Sequence, residues 1–187
     1  DGQGIVPAVI KLTNQSHWII NGLELTNPTA TRGDTYRTCI HVENNSGGVI
    51  SNIKILNNRI HDVYSSYKYI GKFHPQSFGG ITVSVTGETK TDKFDNVLIE
   101  NNHIERAGRS GIVVWDYDWG TNTESTTGVV IRNNTLKDID GDGILVYGCN
   151  GALIEYNVAD ACASYSEAGE NMFNGSVAIW CTRGRDC

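Results

Sequence analysis

The stretch VLIENNHIERAGRSGIVVW, residues 97–115, sets two adjacent asparagines after a short run of apolar and β-branched residues and then resumes an alternating run at SGIVVW (110–115). A strand running straight through would place an amide where an apolar side chain belongs, so the pair marks a break. The break recurs. WIINGLEL (18–25), IKILNNRIHDV (53–63), VVIRNNTLKDI (129–139) and ALIEYNVADA (152–161) share one pattern: apolar-x-apolar-x, a pair, one residue, another apolar. The second member of each pair falls at Gly22, Asn58, Asn102, Asn134 and Asn157, at intervals of 36, 44, 32 and 23 residues. Such self-similarity is the signature of a repeat architecture. The shortest interval approximates one bare repeat, and the longer ones carry inserted loops.

A second element lies between these breaks: CIHVE (39–43), GITVS (80–84), GIVVW (111–115), GILVY (143–147) and VAIWC (177–181). Each alternates with period 2 and often follows glycine, which reads as a short strand; no stretch longer than ten residues holds a helical period. Three short strands in a repeat of about two dozen residues are what a parallel β-solenoid requires, each turn of chain hydrogen-bonding to its neighbours above and below. The paired amide is then a corner. Asparagine tolerates left-handed backbone, and its amide can bond to the same amide one coil away. Gly22 meets the same need at that corner. A β-sandwich with hairpin turns is disfavoured, because hairpin asparagines are usually followed by glycine, whereas Arg, His, Thr or Val follows here.

Composition narrows the partners. Fifteen Lys and Arg against 21 Asp and Glu give a net charge of −6, with no basic run to neutralise phosphates, so nucleic acid is not expected. The apolar runs are too short to span a membrane. Five cysteines, at 39, 149, 162, 181 and 187, lack the C-x-x-C spacing of a zinc site. Sequons begin at Asn14, Asn44, Asn133 and Asn174; in a chain this rich in asparagine they carry little weight.

The motif V-x-I-x-N-N-x-I followed by G-I-x-V resembles the right-handed parallel β-helix of the pectate lyase superfamily, and the resemblance runs over residues 5–181. It implies an all-β, single-stranded right-handed parallel β-helix of about six coils, with an asparagine ladder at one corner. It also implies a secreted or cell-surface carbohydrate-active protein, with a glycoside hydrolase favoured over a calcium-dependent polysaccharide lyase or a structural, adhesive solenoid. Residues 1–187 read as one domain. Aligning ILVYGCNGALIEYN (144–157) with AIWCTRGRDC (178–187) leaves the last coil unfinished, so the chain is expected to be a piece of a longer solenoid that continues past Cys187. Self-association through the ends is the alternative.

Taking the third residue of each G-I-x-V motif as outward, one column should hold His41, Thr82, Val113, Leu145 and Ile179. The next should hold Glu43, Ser84, Trp115, Tyr147 and Cys181. Related β-helices bind glycans in a groove beside this sheet, so Trp115 and Tyr147 are expected to offer an aromatic platform, with His41, Glu43 and Arg109 as further glycan contacts. Glycoside hydrolysis needs two carboxyl groups. Asp142, expected to point outward, is the first candidate, with Asp116 or Asp118 as partner and Glu167 or Glu170 in reserve. A lyase would need a basic residue instead, drawn from Lys68, Lys72, Arg106 and Arg109. No cofactor is required by the hydrolase reading; calcium would suit clustered carboxylates and belongs with the lyase alternative, and no metal ligands can be assigned.

Overall fold

In a computed structural model, residues 1–29, 35–65, 78–87, 91–116, 126–163 and 176–186 are described. Their strands form three parallel sheets. Sheet A stacks β1 (Ala8–Thr13), β4 (Thr38–Asn44), β7 (Gly79–Val85), β10 (Ser110–Asp116), β13 (Ile144–Tyr147) and β16 (Ile179–Thr182). Sheet B stacks β2 (Ile19–Asn21), β5 (Val49–Leu56), β8 (Lys93–Glu100), β11 (Thr127–Arg132) and β14 (Leu153–Glu155). Sheet C stacks β3 (Glu24–Asn27), β6 (Arg59–Val63), β9 (His103–Ala107), β12 (Thr135–Ile139) and β15 (Val158–Cys162). Every third strand in the chain joins the same sheet, which is a parallel β-helix. No helix among the described residues is long and apolar enough to cross a membrane.

Inside, like stacks on like. Ile40, Ile81, Ile112 and Ile144 are in register in sheet A, as are Val42, Val83, Val114 and Val146. Ile55, Ile99 and Ile131 line sheet B, and Ile60, Ile104 and Leu136 line sheet C. All of these are 0 or 1% exposed. Burial of each such side chain contributes about 1.5–3 kcal/mol relative to leaving it in water. β-branched residues predominate because the spacing of about 4.8 Å between parallel strands lets them nest on their copies.

The asparagine pair divides its labour between two positions. The first member takes the left-handed backbone: φ is 54° at Asn57, 57° at Asn101 and 55° at Asn133. The second member builds the ladder. The Asn58 N–H and amide both donate to Asn102 Oδ1 (3.0 and 2.9 Å), those of Asn102 to Asn134 Oδ1 (2.9 and 3.0 Å), and those of Asn134 to Asn157 Oδ1 (2.9 and 3.0 Å). These three amides and that of Asn157 also donate to the carbonyls of Ile20, Ile55, Ile99 and Ile131, respectively, in the coil before. Register places Gly22 opposite Asn57 and Leu23 opposite Asn58. Gly22, with φ of 72°, therefore belongs to the backbone position, one place earlier than the sequence alignment put it. Two further columns turn the chain in the same way: Asn52, Asn96 and Gly128 within sheet B, and Asp62, Arg106, Asp138 and Ala161 within sheet C.

The last coil differs from expectation by one residue. Ile144 pairs with Ile179, Leu145 with Trp180, Val146 with Cys181 and Tyr147 with Thr182. Trp180 and Thr182 continue the outward columns, while Ile179 and Cys181 continue the inward ones. Period 2 makes a slip of one residue exchange the faces completely.

Replacing Asn102 by alanine removes the acceptor of a buried N–H and of a buried amide. It should lower stability by about 2–4 kcal/mol in urea denaturation. Asn101→Gly, one residue earlier, should be neutral within about 0.5 kcal/mol, because only left-handed backbone is asked of that position.

Candidate functional site: the outward face of sheet A

Parallel pairing brings Lys11, His41, Thr82, Val113, Leu145 and Trp180 into one outward column and Thr13, Glu43, Ser84, Trp115, Tyr147 and Thr182 into the next. The first half of this face is polar and the second aromatic. In the polar half, Lys11 Nζ lies 2.9 Å from Glu43 Oε2, the Thr86 hydroxyl donates to Glu43 Oε1 (3.0 Å), and His41 Nε2 is 2.9 Å from Ser84 Oγ. Tyr36 and Phe78 stack at 4.3 Å, and Phe78 meets His41 edge-on at 5.9 Å.

These surroundings set the charges. Burial lowers the His41 pKa to about 4, with Glu43 pulling it back up and Lys11 pushing it down, so the imidazole is neutral at ordinary pH. Burial also opposes the charge on Glu43, but the Lys11 ammonium and the Thr86 hydroxyl, with His41 adding to them only when protonated, outweigh it and hold the carboxyl below the usual glutamate value. Glu43 is thus an ionised carboxylate with a defined partner on each oxygen.

In the aromatic half, Trp115 and Tyr147 stack face to face, 4.2 Å between centroids and 9° between planes, and the Arg183 guanidinium lies 5.7 Å from the Tyr147 centroid. Val113, Leu145 and Trp180 pack beside them. The two rings are 5 and 9% exposed. They do not offer the open platform expected from the sequence, because each ring covers one face of the other and Arg183 lies over Tyr147.

Three further expectations are corrected. Asp142 does not point outward: it is fully buried, with Oδ1 accepting the Val177 N–H (3.0 Å) and Oδ2 lying 3.6 Å from Arg109 Nη2. It stands two residues before inward Ile144, and a spacing of two keeps the same face. Asp116 follows the inward residues Ile112 and Val114 at the same spacing; it is 2% exposed, and its Oδ2 accepts the Thr126 N–H (2.9 Å) where the chain turns into β11. Arg109 is 2% exposed and turned toward Asp142 rather than the groove. Asp118, Glu167, Glu170, Lys68 and Lys72 lie outside the described residues.

The remaining lyase candidate, Arg106, belongs to sheet C and forms a bidentate pair with Asp62 (2.7 and 3.0 Å). Among the described residues no group of three or more His, Cys, Asp or Glu is gathered. What the sequence did not show is the pair of hydroxyl partners, Ser84 on His41 and Thr86 on Glu43. Ser84 was placed in the right column, but its partner is set by coil-to-coil register.

Because His41 titrates at about 4 when folded and near 6.5 when unfolded, the unfolded chain holds the extra proton between these values. Stability should therefore fall as pH drops through this window, by up to about 3 kcal/mol from this group. His41→Gln should flatten that part of the pH dependence in thermal unfolding.

Comparison with known proteins places this geometry. The family model described as right handed beta helix region matches residues 8–186. A lacto-N-biosidase of Bifidobacterium longum subsp. longum is 26% identical over 172 residues, which take in 75% of this chain and 11% of that protein. The crystal structure of a GH136 lacto-N-biosidase from Eubacterium ramulus superposes with a TM-score of 0.78 at 25% identity, covering 93% of this chain and 32% of that one. The chain thus spans about a tenth of the curated relative and about a third of the solved one. With three parallel sheets, stacked core columns and a family match over almost its whole length, the chain belongs to the right-handed β-helix family.

Proposed function

We propose that this chain is the glycan-facing β-helix of a secreted glycoside hydrolase, acting on glycans that carry lacto-N-biose. The observation that carries the reading is the column Glu43, Ser84, Trp115, Tyr147, which puts an ionised carboxylate, a hydroxyl and two aromatic rings on consecutive coils of one face. The likeness to two lacto-N-biosidases, one of them over 93% of this chain, supports it.

Glycoside hydrolysis needs an ionised carboxylate as nucleophile or base and a protonated carboxyl as acid, separated by about 5–9.5 Å. Glu43 fits the first role, since Lys11 and Thr86 hold its charge in place. A general acid needs a raised pKa, which this environment denies Glu43. Asp116 and Asp142 are occupied with the backbone at Thr126 and Val177 and do not face the groove. Asp118 follows the aromatic column closely in sequence and is the acid to test. Neutral His41 on Ser84 would bond sugar hydroxyls without drawing an anionic sugar.

The test is release of lacto-N-biose from a chromogenic glycoside by the full protein, with a wider glycan panel analysed for reducing ends and for unsaturated uronates. Hydrolysis is expected, with Glu43→Gln and Asp118→Asn each lowering kcat by about 100-fold or more. Unsaturated products would replace the hydrolase with a lyase. Binding without any cleavage would assign the chain a non-catalytic, adhesive role.

A further inference from the structure

The last strand of sheet A could sit in either of two registers as far as its apolar pattern goes. Val177, Ile179 and Cys181 alternate with Ala178, Trp180 and Thr182, and both sets include residues able to face a core. In the observed register Trp180 stands on the outward face, packed with Val113, Trp115, Leu145 and Tyr147, and Cys181 stacks inward on Val146. A slip of one residue would bury Trp180 and turn Ile179 and Cys181 outward. Within the residues described, Val177 and Ile179 are 39 and 40% exposed, so the apolar pattern by itself does not choose between the two registers.

A buried polar contact distinguishes the two registers. Across three consecutive coils, Arg109, Asp142 and Ser176–Val177 meet at the start of the strands of sheet A. Arg109 Nη1 donates to Ser176 Oγ at 3.4 Å, Arg109 Nη2 lies 3.6 Å from Asp142 Oδ2, and Asp142 Oδ1 takes the Val177 N–H at 3.0 Å. Arg109 and Asp142 are 2 and 0% exposed. Gly141 makes the arrangement possible, since a Cβ there would run into the Arg109 guanidinium. The backbone adds bonds from Gly143 N to Val177 O (3.2 Å) and from Ile144 N to Ala178 O (2.9 Å), but a ladder of this kind can re-form after a shift. A slip would present a different residue to the Asp142 carboxylate and move the Ser176 hydroxyl away from Arg109, leaving buried charge less well solvated.

We infer that Arg109 and Asp142 are positioning residues, a buried register lock that holds the coil carrying β16 so that Trp180 joins the aromatic part of the outward face. Asp142 acts through the backbone of Val177 and Arg109 through Ser176; neither touches the glycan. The role assigned to Trp180 rests on the glycan reading proposed above, whereas the lock does not.

Cys181 reports the register directly. Alkylation with iodoacetamide, read by peptide mass mapping, should label Cys181 about tenfold faster in Asp142→Ala than in the wild type, with Cys39, which is 0% exposed, staying protected as evidence of an intact fold. Asp142→Asn, which keeps an oxygen for the Val177 N–H but loses the charge facing Arg109, should fall between the two. If Asp142→Ala unfolds the chain, seen as Cys39 reacting, the comparison of Asp142→Asn with the wild type decides. Cys181 no more reactive than in the wild type, in whichever variants keep Cys39 protected, would overturn the lock. In the full protein, glycan KM should rise in Asp142→Asn and in Trp180→Ala with the pH profile of kcat unmoved. Faster Cys181 labelling with unchanged KM would leave the lock standing and remove Trp180 from the glycan site. A shifted pH profile in Asp142→Asn would make Asp142 an acid–base group instead.

Discussion

The structure depends on buried amides bonding from coil to coil. A solenoid has no long-range contacts across its length, so each coil is held only by its neighbours, and the register between them must be specified locally. Apolar columns cannot do this alone, because isoleucine over valine is about as favourable as isoleucine over isoleucine. The ladder of Asn58, Asn102, Asn134 and Asn157 can, because each buried amide has one geometry that satisfies both its donors and its acceptor. With that corner pinned, the left-handed columns in sheets B and C and the inward isoleucines fall into line.

The register so fixed also creates the outward face. Glu43, Ser84, Trp115 and Tyr147 are far apart in sequence and adjacent in space only because Val42, Val83, Val114 and Val146 stack beneath them. The polar end of this face holds a carboxylate kept ionised against burial by Lys11 and a histidine kept neutral by burial. The aromatic end is a stack rather than a platform. Two planar rings one coil apart each cover one face of the other, which leaves less ring surface for a sugar than an open platform would.

Much of this was legible in the sequence. The repeated apolar-x-apolar-x-Asn-Asn pattern named the architecture, the corner and the second asparagine's ladder, and period 2 assigned most of the outward columns correctly. It failed in instructive places. Asp116 and Asp142 stand two residues from inward valine and isoleucine, so the same alternation that exposed Trp115 should have buried them; their chemistry as carboxylates drew attention away from their parity. In the last coil two alternating sets were both apolar enough to face inward, and the pattern could not choose between them. The polar contacts of Arg109 and Asp142 with Ser176 and Val177 do distinguish the two.

By itself, then, the sequence determined that the chain coils, where it turns and which apolar side chains fill most of the interior, because these follow from local periodicity and from the left-handed preference of asparagine and glycine. Tertiary structure decided which residues share a face, which carboxylates remain available for chemistry, and in what protonation state. Those depend on coil-to-coil register and on desolvation, which arise only when residues about 30 or 40 positions apart stack at the spacing of adjacent strands.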